Sequence, residues 1–440
     1  MFNLAAQGCW GYQAYLHIRV KYSLGQMPEM ESDPIASGTA AYRKTLAEDV
    51  DSYGYNPRDL PADQLTHVLH AFANVNKQDG TVYSADPYAD LEKHYPGDSW
   101  EEPGHNAYGI AKQLYVQKRR HRRLKTLLSI GGWSYSRGGS FAAVAASEAA
   151  RRTFARSAVR LVADWGLDGI DVDWEYPRAG AEAAAYVALL AACRAALDDY
   201  AARTSTGSPY HFLLTVATAA GPDNYRAMDL RGMDPYVDAW HLMSYDYAGS
   251  WGDRTGHASN LFADDAGDGG SATPYSTDTA VQYYLAQGIR PDKLLLGLPL
   301  YGRSFEDTDG LGKPYSGVGS SSGADGNWEA GVWDYKVLPR PGATERYDDV
   351  AKAAYSYGSG PGSRELITYD NVRSTAEKAR YIADQRGLGG AFFWEGSGDR
   401  TDDRSLVRTM AVRLGNLDAS ENNLRYPTSQ YDNIRNGMPS

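Results

Sequence analysis

The stretch DGIDVDWEYP, Asp168 to Pro177, sets Asp171, Asp173 and Glu175 at alternate positions with Ile170, Val172 and Trp174 between them. Alternation with a period of two is the pattern of a β-strand, whose successive side chains point to opposite faces. The three carboxylates therefore share one face, roughly 6 to 7 Å apart at a rise of about 3.3 Å per residue, and the other face is apolar and buried. Like charges this close cannot all ionise cheaply in a poorly solvated site, so one proton is shared and at least one pKa rises. A carboxyl that stays protonated near neutral pH is what a general acid requires. Taken alone, a DxDxE pattern also suits a solvent-facing strand edge or the corner of a divalent-cation site. No His cluster or second acidic group completes such a site, so no metal and no cofactor are expected.

Working outward, six more short apolar runs end in polar or glycine-rich residues: LTHVLHAFANV from Leu65, LKTLLSIGG from Leu124, HFLLTVATAAG from His211, VDAWHLMSYDYAG from Val237, KLLLGLPLYG from Lys293 and GGAFFWEGSGD from Gly389. Helical stretches such as AASEAARRTFARSAVRLVADWG and TDTAVQYYLAQG lie between them. Strands alternating with helices imply a parallel sheet with crossover connections. Seven such strands and one more to be found predict an α/β fold, a (β/α)8 TIM barrel. The acidic ladder then falls on the fourth strand, with Glu175 at its C-terminal end, where such barrels carry their functional groups. A glycine-rich, aromatic interval from about 306 to 372 reads as a small inserted α+β subdomain, and the polar tail, 416–440, as a surface segment.

The chain has 440 residues, 42 % hydrophobic and 22 % charged, which reads as a folded soluble protein with a sizeable core. Its net charge of −11 argues against nucleic acid or an anionic membrane as partner. The basic run KRRHRR, Lys118 to Arg123, follows a helical stretch, where cations favour the macrodipole, and reads as a solvated helix end. With two cysteines, Cys9 and Cys193, a disulfide framework is excluded. No apolar run reaches membrane-spanning length. The N-terminus lacks a clear signal-peptide pattern, and no N-x-S/T sequon occurs. Aromatics make up 12 %, with 33 Tyr and 10 Trp, a supply of flat apolar faces suited to stacking on sugar rings.

The pattern DxxDxDxE, realised as Asp168, Asp171, Asp173 and Glu175, together with SIGG at Ser129 to Gly132, resembles the glycoside hydrolase family 18 chitinases. NPRDLPADQLTHVLHAFANV, YADLEKHYPGDSW, MSYDYAGSW, GLPLYGRSF, GVWDYKVLP and YPTSQYDNIR look like fungal class V chitinases in particular. The resemblance, from about residue 53 onward, implies a catalytic domain over 53–415 acting on chitin and chito-oligosaccharides as a monomer, extracellular, by retaining, substrate-assisted hydrolysis. Glu175 would be the acid and base. Asp173 would orient the substrate acetamide, Asp171 would share a proton with Asp173, and Tyr245 would bind the acetamide oxygen. Asp246, Met243, Tyr301, Arg303 and Phe72 would line the cleft, with Trp394 as the floor beneath the −1 sugar and Trp133 and Trp251 as aromatic platforms. Ser129 would support the ladder from behind, while Asp168, Gly169, Gly131 and Gly132 would be structural. The same resemblance leaves room for a non-catalytic chitin-binding lectin, although such relatives typically lose the terminal acid, or for an enzyme cleaving the chitobiose core of N-glycans.

One departure stands out. Residues 1–52 do not follow the family pattern: TLAEDVDS, 45–52, is too polar for the expected first strand. GYQAYLHIRVKY, upstream, is a candidate only if a long excursion separates it from the barrel. This segment is expected to be an unusual insertion or a mistranslated stretch.

Overall fold

The computed structural model describes residues 13–19, 56–263, 273, 275–321, 326–360 and 363–438. The polar stretch 45–52 and Cys9 lie outside the described residues.

Among the described residues fourteen strands occur in chain order. Eight form a closed barrel: β1 (Gln13–Arg19), β2 (His67–Val75), β4 (Lys125–Gly131), β5 (Gly169–Asp173), β6 (Leu213–Ala219), β7 (Ala239–Met243), β8 (Leu294–Pro299) and β14 (Gly390–Trp394). A short β3 (Val82–Ser84) extends the sheet from β2. Around the barrel β14, β8, β7, β6, β5, β4 and β2 pair in parallel, and each of the seven apolar runs supplies one of them. The eighth position belongs to β1, inside GYQAYLHIRVKY, and it runs antiparallel to both neighbours, with Leu16 opposite Phe393 and Gln13 opposite Ala71. An antiparallel strand pairs with the edges of β14 and β2 through backbone hydrogen bonds just as a parallel one would, and so closes the barrel.

Helices Gly109–Arg120, Glu148–Trp165, Ala181–Thr204, Thr277–Ala286, Val372–Arg380 and Leu406–Leu414 surround the barrel. Their limits follow local chemistry. Glu148–Trp165 begins at Ser147, whose side chain accepts from the Ala150 N–H, and stops at Gly166, which turns left-handed at φ 71°. Helix-facing strand residues such as Ile130, Ile170, Val172 and Leu296 build one large core with the helices. Inward-facing residues, including Leu69, Leu127, Ala217, Met243 and Phe392, form a second, smaller one inside the barrel. Both faces of a central strand are thus buried, and the inward carboxylates of β5 sit within the second core.

Between β8 and β14 the chain builds a five-stranded antiparallel sheet from β9 (Tyr301–Phe305), β10 (Val332–Asp334), β11 (Thr344–Asp348), β12 (Ala353–Gly360) and β13 (Ser363–Tyr369). Its first strand begins ahead of the expected 306–372 interval, because β9 follows β8 after a single residue.

Two expectations change at the bottom of the barrel. Lys118 is not part of a solvated helix end: it is fully buried, 2.8 Å from Asp168 Oδ2, and donates to the Gly166 carbonyl and the Tyr426 hydroxyl, each at 2.7 Å. Burial draws its pKa down to about 8 against the opposing pull of Asp168. The tail, expected at the surface, sinks Tyr426 and Ile434 into the core. Tyr426 donates to the Leu167 carbonyl at 2.8 Å, and the Asn423 N–H reaches Asp168 at 2.8 Å. The tail is a strap beneath the root of β5, because Asp168 there offers buried acceptors that β4 alone does not fill.

Candidate active site

β5 carries Asp171 and Asp173 inward, both fully buried, and delivers Glu175 to the mouth, where it keeps partial contact with solvent. Asp171 is fixed from its two neighbouring strands and from β7, one strand further round. Ser129 of β4 donates to Oδ2 at 2.8 Å, Thr215 of β6 to Oδ1 at 2.6 Å, and His241 Nδ1 of β7 stands 3.0 Å from Oδ1. The Glu175 N–H donates to Ser136 Oγ at 2.9 Å, which anchors the backbone beneath the terminal acid. Burial pushes the Glu175 carboxyl up to about 7; a hydrogen bond with Tyr176 opposes this and the charge of Asp246 adds to it.

The glycines of SIGG have a steric role. At Gly131, φ 116°, a Cβ would stand 2.3 Å from the Asp173 carbonyl oxygen, and at Gly132, φ 82°, one would stand 2.7 Å from the Phe72 ring. Only glycine lets β4 approach the ladder and the Phe72 wall this closely. At the opposite end of β5 a Cβ on Gly169 would meet the Leu213 carbonyl oxygen at 2.1 Å. Asp168, beside it, belongs to the buried Lys118 network and lies away from the mouth.

Tyr245 follows β7 and is buried, and its hydroxyl has no hydrogen-bond partner among the described residues. Burial raises its pKa well above the usual tyrosine value, reinforced by Tyr301, Asp173, Glu175 and Asp246. Next to it Asp246, at φ 59°, accepts from Tyr301 at 2.8 Å and from both arms of the Arg303 guanidinium at 2.9 and 2.7 Å. A bidentate pair of this kind is strong and directional. Burial opposes the charge on Arg303, yet pairing with Asp246 holds its pKa above the ordinary value. Arg303 also lies over the Trp251 ring at 5.1 Å.

Trp394, at the end of β14, is half-buried and packs against Phe72 with ring centroids 5.7 Å apart. Met243 is buried in the inner core beside Tyr245. Trp133 and Trp251 are 55 % and 60 % exposed, so both rings stand at the surface rather than in the core. Ala71–Phe72, Glu175–Tyr176 and Trp394–Glu395 are cis peptide bonds.

The candidate residues at the C-terminal ends of β4, β5, β7 and β14, and in the first half of β9 just past the end of β8, therefore meet in one cleft, while Asp168 and Gly169 stay at its root. Sequence reasoning missed several members. Thr215, His241, Ser136 and Tyr176 support the ladder and Glu175. His241 had a signal, since it alternates with Met243 and Tyr245 and must share their inward face. Trp328, Glu329, Asp334 and Glu395 join Trp394, Tyr301 and Arg303 around a cavity of about 90 Å³. The first three come from the antiparallel sheet and its loops, whose placement no local pattern discloses. Among the described residues, no group of three or more His, Cys, Asp or Glu is arranged to hold a metal ion. No described helix is long and apolar enough to cross a membrane.

Residues 40–399 match the family model described as Glycosyl hydrolases family 18. The chain is 50 % identical over 388 residues to Chitinase 1 of Aphanocladium album, covering 88 % of each chain. It is likewise 50 % identical over 384 residues to Endochitinase 1 of Metarhizium robertsii, covering 87 % of each. Among solved structures, Chitinase ChiA74 from Bacillus thuringiensis superposes with a TM-score of 0.72 at 29 % identity, over 83 % of this chain and 68 % of that one. The Ostrinia furnacalis Group IV chitinase in complex with allosamidin does so with a TM-score of 0.68 at 26 % identity, over 81 % and 92 %.

Proposed function

Because the chain belongs to glycosyl hydrolase family 18, we propose that it is a chitinase that cleaves β-1,4 bonds between N-acetylglucosamine units by retaining, substrate-assisted hydrolysis. The observation that carries this mechanism is the pairing of a mouth carboxyl held at about 7 with a buried tyrosine hydroxyl that has no hydrogen-bond partner among the described residues. Glu175, protonated near neutral pH, gives its proton to the glycosidic oxygen. Tyr245 donates to the acetamide oxygen of the −1 sugar and holds it toward the anomeric carbon, where attack forms an oxazolinium ion. Asp173 accepts from the acetamide N–H and stabilises the positive charge that develops, and Asp171 takes up the proton that Asp173 releases. Glu175, now a carboxylate, removes a proton from the incoming water, and the ring opens with net retention.

The remaining residues position the sugar chain. Trp394 and Phe72 offer apolar faces to the −1 ring. The Asp246–Arg303–Tyr301 cluster supplies directed polar contacts, and Trp133 and Trp251 stack on sugars beyond the scissile bond. The catalytic unit is the barrel, 53–415 together with strand β1, and the antiparallel sheet forms one wall of its groove. An extracellular location suits a polymeric substrate.

A soluble chitin hexamer, followed for product length and anomeric form early in the reaction, tests the proposal. Short β-anomeric products are expected. α-Anomeric products would refute the retaining mechanism, and binding without cleavage would leave a lectin.

A further inference from the structure

The antiparallel sheet reaches the cleft through one face of two strands. β9 and β10 pair with Arg303 opposite Val332 and Tyr301 opposite Asp334, and residues opposite each other on paired strands point to the same side. Arg303 and Tyr301 bind Asp246 in the cleft, so Val332 and Asp334 face it too. Trp333, between them, turns the other way and lies under Arg340, 3.9 Å from its ring centroid. Trp328, in the loop ahead of β10, donates its indole N–H to Asp334 Oδ2 at 3.2 Å, and it lines the same cavity as Trp394. Lys336 joins this wall to the floor. Its Nζ lies 3.0 Å from Asp334 Oδ2 and donates to the carbonyl of Ser397, just past β14, at 2.8 Å. Ser397 in turn donates its hydroxyl to Glu395, the neighbour of Trp394, at 2.7 Å. One ammonium therefore bridges the acid that orients Trp328 and the loop that carries Trp394. Asp334 and Ser397 are both buried, and a charge-assisted hydrogen bond away from water is short and strong.

We propose that Lys336 is a positioning residue for the non-reducing side of the substrate: by tying the antiparallel sheet to the loop after β14, it holds Trp328 as the wall on which the sugar next to the −1 ring stacks. The inference rests on the chitinase reading above. The side of the cleft follows from the barrel order. Glu175 works at the anomeric carbon from the end of β5, whereas the cavity is lined from the ends of β7, β8 and β14 and from the antiparallel sheet. β8 and β14 stand across the mouth from β5, so the cavity lies at the end of the −1 ring remote from the bond that is cut. A pyranose seated there turns an apolar face to the Trp328 ring. Without the Lys336 ammonium the wall is no longer pinned to the floor. The ring's alignment must then be set at each binding event, at a cost in affinity.

The test is steady-state hydrolysis of an aryl β-chitobioside, whose two sugars fill that position and the −1 site, by the wild type, Trp328→Leu, Lys336→Met and the double variant. A stacking contact made equally before and in the transition state shows in KM rather than in kcat. Trp328→Leu should raise KM roughly tenfold and Lys336→Met roughly fivefold, each with kcat within about twofold of the wild type. Because Lys336 acts through Trp328, the double variant should be no worse than Trp328→Leu alone. A variant that merely folds less completely loses active protein, which lowers kcat at unchanged KM. That pattern, or KM increases that multiply in the double variant, overturns the inference and leaves the chitinase reading intact. A wild-type protein that cuts neither the chitobioside nor the chitin hexamer overturns both. Should Lys336→Met fail to fold, Asp334→Asn decides in its place: it removes the charge that holds Lys336 and must raise KM, and an unchanged KM refutes the role.

Discussion

Replacing Glu175 with Gln should remove turnover, and it should also stabilise the protein above neutral pH. In the unfolded chain Glu175 releases its proton at the ordinary value of 4.5, whereas in the folded protein burial holds that proton to about 7. Between those values folding takes up a proton, so the stability contributed by the protonated acid is complete below 4.5 and is lost as pH rises through about 7. At about 1.36 kcal/mol per pH unit, the wild type loses on the order of 3 kcal/mol across that window through this one group. Glutamine neither titrates nor suffers the burial of a charge, so Glu175→Gln escapes the loss. With an unfolding entropy of about 2.1 cal/mol/K per residue over 440 residues, the difference is a Tm about 3 to 4 °C higher for the variant at pH 8 and no difference at pH 4. Thermal melting of both proteins at half-unit steps from pH 4 to 8.5 measures it. The same ionisation should set the basic limb of wild-type kcat near pH 7. Melting curves that stay parallel across the whole range would refute the claim that burial raises the Glu175 pKa, even if the variant is inactive.

Two other perturbations probe the floor and the root of the site. Trp394→Ala removes the ring that packs on Phe72 and should weaken oligosaccharide binding and slow turnover together, by roughly a hundredfold in kcat/KM if the −1 ring loses its alignment; unchanged kinetics would return Trp394 to a packing role. Lys118→Met leaves Asp168 buried without its cation and should cost about 3 to 5 kcal/mol in urea unfolding at pH 7. Pairing it with Asp168→Asn should recover part of that loss, and a single variant as stable as the wild type would show that the donors remaining on Asp168, the Tyr210 hydroxyl and the Thr126 and Asn423 N–H groups, suffice.

The acidic ladder and the seven parallel strands were legible because their signals are local. A strand buried on both faces has to be an apolar run, and carboxylates on one face have to alternate. The same rule reaches His241 through its period-two spacing from Met243 and Tyr245. Lys118 shows where local reading fails. In sequence it is one cation of a basic helix end, and its burial depends on Asp168, fifty residues on, and on Tyr426, some three hundred residues on, meeting it under the barrel. The first strand fails for a related reason. QAYLHIR has strand character, but the edges it pairs with belong to β2 and β14, distant in sequence, and no local pattern sets its direction between them.

What the sequence determined by itself was the kind of chemistry and its place on the barrel, since DGIDVDWE specifies a strand, a face and a terminal acid within a few residues. Which groups tune that acid was decided only by the tertiary structure. The Asp246 charge that raises Glu175, the Arg303 fork that pairs with Asp246, and the His241 contact behind Asp171 join β5, β7 and β9 across 57 to 71 residues of chain. Electrostatics falls off with distance through space, not along the sequence, so the protonation state of the site becomes defined only once the barrel has closed.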